Sequence, residues 1–266
     1  MPAPARDWLL RSQHPTQVER IEAYFCGHGF DPHRHDTYAI GRTLSGVQSF
    51  RYRQALRHSV PGGTLVLHPD ELHDGHAGTD EGFRYRMIYV EPALIQQVLG
   101  GQPLPFIAGG LSDDPRLFAA TSPFVRAMEQ GFEPLEEDDA LFDLAHALQA
   151  VAAPHRGRRV ANYPAAERAR AYINDCFAQA ISLDDLALAS GLDRWRLTRD
   201  FRLLYGTSPY RYVTLRRLAC CRRLLRLGLS LADAAASAGF ADQSHMTRQF
   251  AANWGQTPGR WLAMQT

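Results

Sequence analysis

The chain contains no lysine: all 29 of its basic side chains other than histidine are arginine, a bias that points to a GC-rich coding sequence. It also lacks any run of about 18 apolar residues, so no membrane-spanning helix is expected. The opening residues, MPAPARDWLLRSQHP, have no apolar core of the kind a secretion signal needs. A cytoplasmic chain is therefore expected. Cysteine is scarce. Cys26, Cys176, Cys220 and Cys221 show no metal-ligand spacing, and two of them are adjacent; reduced thiols packed in the interior are expected in that compartment. No acidic activation segment or polymerase-contact motif is recognisable.

What is present is a soluble globular composition, with 45% hydrophobic and 21% charged residues. A length of 266 residues suits two ordinary domains. The net charge of +1 conceals an asymmetry. Residues 161–266 hold 14 Arg against 8 Asp and Glu, a net +6, whereas residues 1–160 hold 15 against 20, a net −5. The basic part suits an anionic partner and the acidic part does not.

Three stretches differ in pattern. Residues 18–91 read as strands: Phe83-Arg84-Tyr85-Arg86-Met87-Ile88-Tyr89 begins with apolar–polar alternation, and Thr64-Leu65-Val66-Leu67 reads as a short buried strand. Gly41, Gly46, Pro61-Gly62-Gly63 and Gly75 punctuate them as turns. Many short strands with regular turns suggest a barrel or sandwich. Residues 92–152 turn helical, and Leu141, Leu144, Ala145, Leu148 and Val151 recur so as to share one helical face. Residues 153–159, APHRGRR, break that pattern. The expected organisation is a domain over 1–152, a linker over 153–163 and a helical domain over 164–266, which makes an α+β chain.

The last hundred residues carry a repeated motif. Ser182-Leu183-Asp184-Asp185 reads as a capping box. The helix it opens ends at Gly191, which permits a left-handed turn, and Asp193 caps a second helix. On that helix Leu197, Phe201 and Leu204 share a face, with Trp195, Thr198, Arg199 and Arg202 largely off it. Helix, glycine turn and helix with a polar outer face is the helix-turn-helix pattern. It recurs as Leu231–Ala238, the turn Gly239-Phe240, and Ser244–Phe250. Between the two lies an arginine-rich helical stretch, Pro209–Arg226. Eighteen residues at about 1.5 Å each span roughly 27 Å. Successive major grooves on one face of DNA lie about 34 Å apart, so such a helix with its flanking turns sets two recognition helices one groove apart.

Residues 165–262 resemble the DNA-binding domain of the AraC/XylS family. The resemblance runs in order through Leu186-Ala187…Ser190-Gly191-Leu192, Phe201…Tyr205-Gly206-Thr207-Ser208-Pro209, Arg217-Leu218…Leu224-Leu225, Ala235…Ala238-Gly239-Phe240-Ala241-Asp242-Gln243-Ser244-His245 and Phe250…Trp254-Gly255-Gln256-Thr257-Pro258. Met246 and Cys221 depart from it only by core-type changes. The resemblance implies base-facing roles for Trp195, Thr198 and Arg199 in the first unit, and for Gln243, Ser244 and Arg248 in the second. Arginine donates twice to guanine, glutamine pairs with adenine, and tryptophan and threonine meet a thymine methyl. Arg194, Arg196, Arg202 and His245 are expected on phosphates, which fix register rather than sequence.

The first half is rich in histidine: Pro32-His33-Arg34-His35-Asp36 and Leu67-His68-Pro69-Asp70-Glu71-Leu72-His73. Residues i and i+2 of a strand share a face, so His33 and His35 are expected to enter a barrel, with His73 joining them. This region resembles the cupin-like sensory domain of the same family. Related cupin enzymes add a carboxylate a few residues after a His-x-His pair; Ala39 and Ile40 stand there, and Asp36 and Glu71 are imperfect substitutes. Three readings stay open: a polar effector pocket lined by His33, His35, Tyr52, His73 and Tyr85; a metal held by the three histidines; or histidines at strand ends and on the surface. The expectation is an effector pocket and no cofactor. Arg42, Arg84 and Arg86 either clamp a ligand carboxylate inside the barrel or lie on a solvated face.

The function expected is a non-enzymatic, effector-responsive transcription regulator that binds an operator in double-stranded DNA, and RNA polymerase if it activates. One alternative is a cupin metalloenzyme fused to a DNA-binding module. Another is a regulator whose N-terminal domain only dimerises or contacts a partner. The resemblance implies a homodimer paired through Leu141, Leu144, Leu148 and Val151; the competing reading is that this face packs on its own domain.

Overall fold

The computed structural model describes residues 7–12, 17–153 and 160–263. Residues 154–159, most of the expected linker's turn-forming run, lie outside them. The chain divides into two compact units, residues 1–100 with 104–157, and 101–103 with 158–266.

The first unit contributes β1 (Trp8–Arg11), β2 (Glu19–Phe25), β3 (His28–His33), β4 (Tyr38–Gly46), β5 (Gln48–Tyr52), β6 (Ala55–Ser59), β7 (Thr64–Leu67), β8 (His73–Ala77), β9 (Phe83–Val90) and β10 (Leu111–Ser112). They form a six-stranded sheet in the order β1-β2-β9-β4-β7-β10 and a four-stranded sheet in the order β3-β8-β5-β6. All neighbours are antiparallel. Hydrogen bonding does not close these strands into one barrel. Side chains join the two sheets instead: Phe50 and Tyr52 of the smaller sheet pack with Ile21, Phe25, Leu65, Leu67, Phe83, Tyr85 and Met87 of the larger.

The larger sheet is covered on its other face as well, by α1 (Pro92–Leu99), α2 (Pro115–Gln130) and α3 (Pro134–Val151). There Ile40, Val66, Ile88 and Val90 share a core with Ile95, Leu117, Phe124, Leu141, Leu144 and Leu148. Strand alternation sends Val66 to the helices and Leu65 and Leu67 to the smaller sheet, which is why β7 is buried at all four positions and apolar at the last three.

This packing corrects the dimer expectation at the named residues. Leu141, Leu144 and Leu148 are at most 5% exposed, and Val151 packs against the same cluster. The apolar stripe of α3 serves its own domain.

It also decides the arginines. Arg42 and Arg86 reach α2: Arg42 donates to Thr121 Oγ1 (2.5 Å) and Ser122 Oγ (2.9 Å), and Arg86 Nη1 donates to the Val125 carbonyl (2.8 Å). Arg84 and Arg86 both bind the buried Glu22 carboxylate. None of the three lies between the sheets.

The second unit holds α4 (Tyr163–Cys176), α5 (Leu183–Ser190), α6 (Arg194–Tyr205), α7 (Pro209–Arg226), α8 (Leu231–Ser237), α9 (Gln243–Trp254) and α10 (Pro258–Ala263). Leu215, Leu218, Cys221 and Leu225 of α7 pack with Ala234, Ala235, Met246, Phe250 and Trp261. No helix among the described residues is long and apolar enough to cross a membrane.

Candidate DNA-binding surface and effector site

Each recognition helix is started by its own sequence. Ser182 and Asp185 complete a reciprocal capping box at α5, and Gly191 ends that helix with φ at 71°. The Asp193 carboxylate accepts from the backbone N–H groups of Trp195 (3.0 Å) and Arg196 (2.9 Å), which begins α6. In the second unit Ser230 caps α8, and Asp242 accepts from the His245 N–H to start α9. Gly239, in the turn between them, has φ at 84°, and a Cβ there would stand 2.3 Å from the Ala178 carbonyl oxygen. Arg217 of α7 donates to the neighbouring carbonyls of Phe177 and Gln179 (2.7 Å each). The segment after α4 thus meets both the connecting helix and the second turn.

On α6, Leu197, Phe201 and Leu204 are fully buried, whereas Trp195 is 74% exposed. Arg194, Arg196, Arg199 and Arg202 are exposed and Thr198 half-buried. Thr198 spends its hydroxyl on the Arg194 carbonyl (2.8 Å), which leaves its methyl as the outward group. Arg196 and Arg199 lie 3.7 and 3.6 Å from the Asp200 carboxylate, contacts too long and open to immobilise them. Arg202 has no ion-pair partner among the described residues. On α9, Met246 and Phe250 are buried, Gln243, Ser244 and Arg248 are exposed, and His245 is half-buried with its ring edge-on to Phe240 at 5.5 Å. The two helices therefore present the expected side chains outward on capped, rigid supports.

Behind the first helix lies a network that the sequence reading missed. The Tyr205 hydroxyl donates to Glu167 Oε2 (2.6 Å), and Arg170 clasps the same carboxylate. The arginine holds that carboxyl below its usual range against the opposing effect of burial. Glu167 and Arg170, three apart on a helix, were the available signal.

In the first unit the structure brings three of the five expected pocket residues together. His33 pairs in register with His73 across β3 and β8. His35 follows two residues beyond His33, and one ring nitrogen from each of the three lies within 4.8 Å of the others. All three are buried. Each Nδ1 meets a backbone carbonyl: Asp31 for His33 (2.8 Å), Thr37 for His35 (2.8 Å) and Glu71 for His73 (2.9 Å). A carbonyl only accepts, so each Nδ1 carries the proton and each Nε2 presents a lone pair. Burial lowers the pKa of all three, that of His35 to about 4, and keeps the rings neutral.

Tyr85 does not join them, and Tyr52, although it stands opposite His73 in register across β5 and β8, turns its hydroxyl elsewhere. Tyr85 is packed between the sheets against Phe25 and Phe83. Tyr52 is tied to His68, a residue that the sequence reading left without a role. The Ile107 N–H donates to His68 Nε2 (2.9 Å), so Nδ1 carries the proton and donates to Tyr52 Oη (2.5 Å).

Beside His73 opens a cleft of about 630 Å³, lined also by Arg34, Arg51, Arg53, Gln54, Asp70 and Glu71 among others. Arg53 and Gln54 form the two-residue turn between β5 and β6, and their φ of 48° and 66° are those of a type I′ hairpin. Arg53 faces Glu71 at 3.4 Å. Arg34 and Arg51 have no ion-pair partner among the described residues.

Comparison with known proteins agrees with this division. Residues 15–149 match the family model described as the AraC-like ligand binding domain, and residues 186–264 match a helix-turn-helix domain model. The chain is 26% identical over 235 residues to the uncharacterised helix-turn-helix transcriptional regulator YbfI of Bacillus subtilis, covering 85% of this chain and 86% of that one. It is 27% identical over 242 residues to the transcriptional activator RhaS of an Enterobacter species, covering 86% of each. Among solved structures, ToxT of Vibrio cholerae superposes with a TM-score of 0.67 at 13% identity over 94% of this chain and 100% of that one, a likeness of fold.

Proposed function

Because the chain belongs to the AraC/XylS family of DNA-binding transcription regulators with a ligand-binding N-terminal domain, we propose that α6 and α9 read one operator in successive major grooves, under control of a small molecule taken in the cleft beside His73. The observation that carries this reading is the pair of capped helices whose outward arginines make, among the described residues, at most long and open ion pairs. Arg199 and Arg248 stand in the register for guanine, Gln243 for adenine, and the Thr198 methyl and Trp195 for thymine; Ser244 completes the second set. Arg194, Arg196, Arg202 and His245 anchor phosphates. No catalytic step belongs to this reading, since the relatives are regulators of transcription. The protein acts in the cytoplasm, where its operator is, and contacts RNA polymerase where it activates.

A salt titration of alanine variants on operator and scrambled DNA tests the assignment. Arg199→Ala and Arg248→Ala should each lose about 1–3 kcal/mol on the operator and little on scrambled DNA. Arg202→Ala should weaken both and reduce the log–log salt slope by about one. Equal losses on both DNAs for Arg199→Ala and Arg248→Ala would move these arginines to the phosphates.

We further propose a homodimer formed through the outward face of α3. Leu135 and Phe142, 73% and 54% exposed, lie two turns apart on the side opposite the buried stripe.

A further inference from the structure

The three histidines offer more than a polar lining. Three rings are fixed in orientation by backbone carbonyls, and their remaining lone pairs have no hydrogen-bond donor among the described residues. Neutral imidazoles whose other nitrogen donates to a carbonyl are what a metal ion needs from its ligands and from the groups behind them. The donor set excludes two classes of ion. Calcium and magnesium require oxygen ligands and thiolate-seeking ions require sulfur, and among the described residues neither a carboxylate nor a cysteine joins the cluster. Imidazole nitrogen selects zinc, iron, nickel or copper. Three neutral ligands leave the ion its full double positive charge and leave coordination positions free. The adjoining cleft adds the unpaired guanidinium groups of Arg34 and Arg51.

We propose that His33, His35 and His73 hold one divalent first-row transition-metal ion through Nε2, with open positions directed to the cleft, where an oxygen-donor anion completes the coordination. The metal site stands on its own geometry. The anionic ligand rests on the reading of this cleft as the effector site.

The test is a titration of the metal-free, full-length protein with Co2+, read by its visible absorption. Wild type should take up one equivalent. His35→Ala and His73→Ala should weaken uptake at least about 100-fold, while His76→Ala, on β8 outside the cluster, should bind as wild type does. If the ligand variants fail to fold, X-ray absorption of the zinc-loaded wild type decides: three imidazole nitrogens at about 2.0 Å support the site, and a shell with fewer overturns it. Folded wild type that takes up no cobalt also overturns it, as does undiminished binding after His35→Ala and His73→Ala. Oxalate, as the anionic probe, should shift the cobalt spectrum of wild type and bind at least about tenfold more weakly to Arg34→Ala and Arg51→Ala. A cobalt spectrum that oxalate leaves unmoved refutes the anionic ligand. Operator binding is measured on the same samples, so a chain that binds DNA specifically but takes no metal sinks this site and leaves the regulatory reading standing.

Discussion

His68 gives the first unit a built-in sensitivity to acid. It is 3% exposed, stacks on Phe106 with ring centroids 4.2 Å apart, and bridges Tyr52 and the Ile107 N–H as a neutral ring. Burial first, and Arg53 second, push its pKa down to about 3. In the unfolded chain the same ring titrates near about 6.5. Below that pH the unfolded state binds a proton that the folded state refuses until about pH 3. Stability is therefore complete above about pH 6.5 and is lost as the pH falls through this window. The slope approaches about 1.4 kcal/mol per pH unit, which amounts to about 2 kcal/mol between pH 6 and 4.5.

His68→Gln separates this effect from the other titrating groups. The glutamine amide can still accept from Ile107 and donate to Tyr52, but it does not titrate. Loss of the Phe106 stack should lower stability at pH 7 by about 1 kcal/mol. The fall from pH 6 to 4.5 should then be about 2 kcal/mol smaller than in wild type. Hydrogen-exchange mass spectrometry of the intact chain in graded urea, with a chelator present, reads this in peptides from β4 and β7. Equal losses in the two proteins over that interval would mean that His68 is protonated in the folded state, and the bridging geometry would be refuted.

Three further outcomes follow from the packing. Gly239→Ala should destabilise the second unit by about 2–3 kcal/mol, since it adds a left-handed penalty to a contact with the Ala178 carbonyl that cannot yield cheaply; a thermal shift confined to that unit checks it. Leu144→Glu should unfold the first unit rather than yield a folded monomer, because it buries a carboxylate in a core position that is 0% exposed; circular dichroism decides. Phe142→Glu should leave the fold intact and halve the mass in light scattering, and an unchanged mass would remove the proposed dimer face.

The helical half was easier to read than the sheet half, for a physical reason. Helix ends are written locally: Ser208 accepts from the Arg211 N–H and Pro209 supplies a fixed φ at the first turn, so the start of α7 is set by adjacent residues. Strand partners are not local. The pairing of His33 with His73 spans forty positions and passes through register irregularities between β3 and β8, and no spacing rule predicts it. The His-x-His pair was visible, yet its meaning depended on that pairing. The same holds for Arg42 and Arg86, whose side of the sheet followed from strand register and from α2 lying across it.

The stripe on α3 shows a different limit. Leu141, Leu144, Leu148 and Val151 have the spacing required to bury a helix against something, and that requirement is the same for a neighbouring sheet and for a second copy of the chain. Periodicity specifies which face is apolar; only the tertiary fold says what covers it. Here Ile40, Val66 and Ile88 on the larger sheet need a cover as much as α3 does, and α3 supplies it together with α1 and α2. The dimer proposed above would use the opposite face, where the Phe142 and His146 rings lie 4.3 Å apart. Any dimer built there must pair a mixed aromatic and polar surface, so its strength should fall between that of an obligate apolar seam and a transient contact.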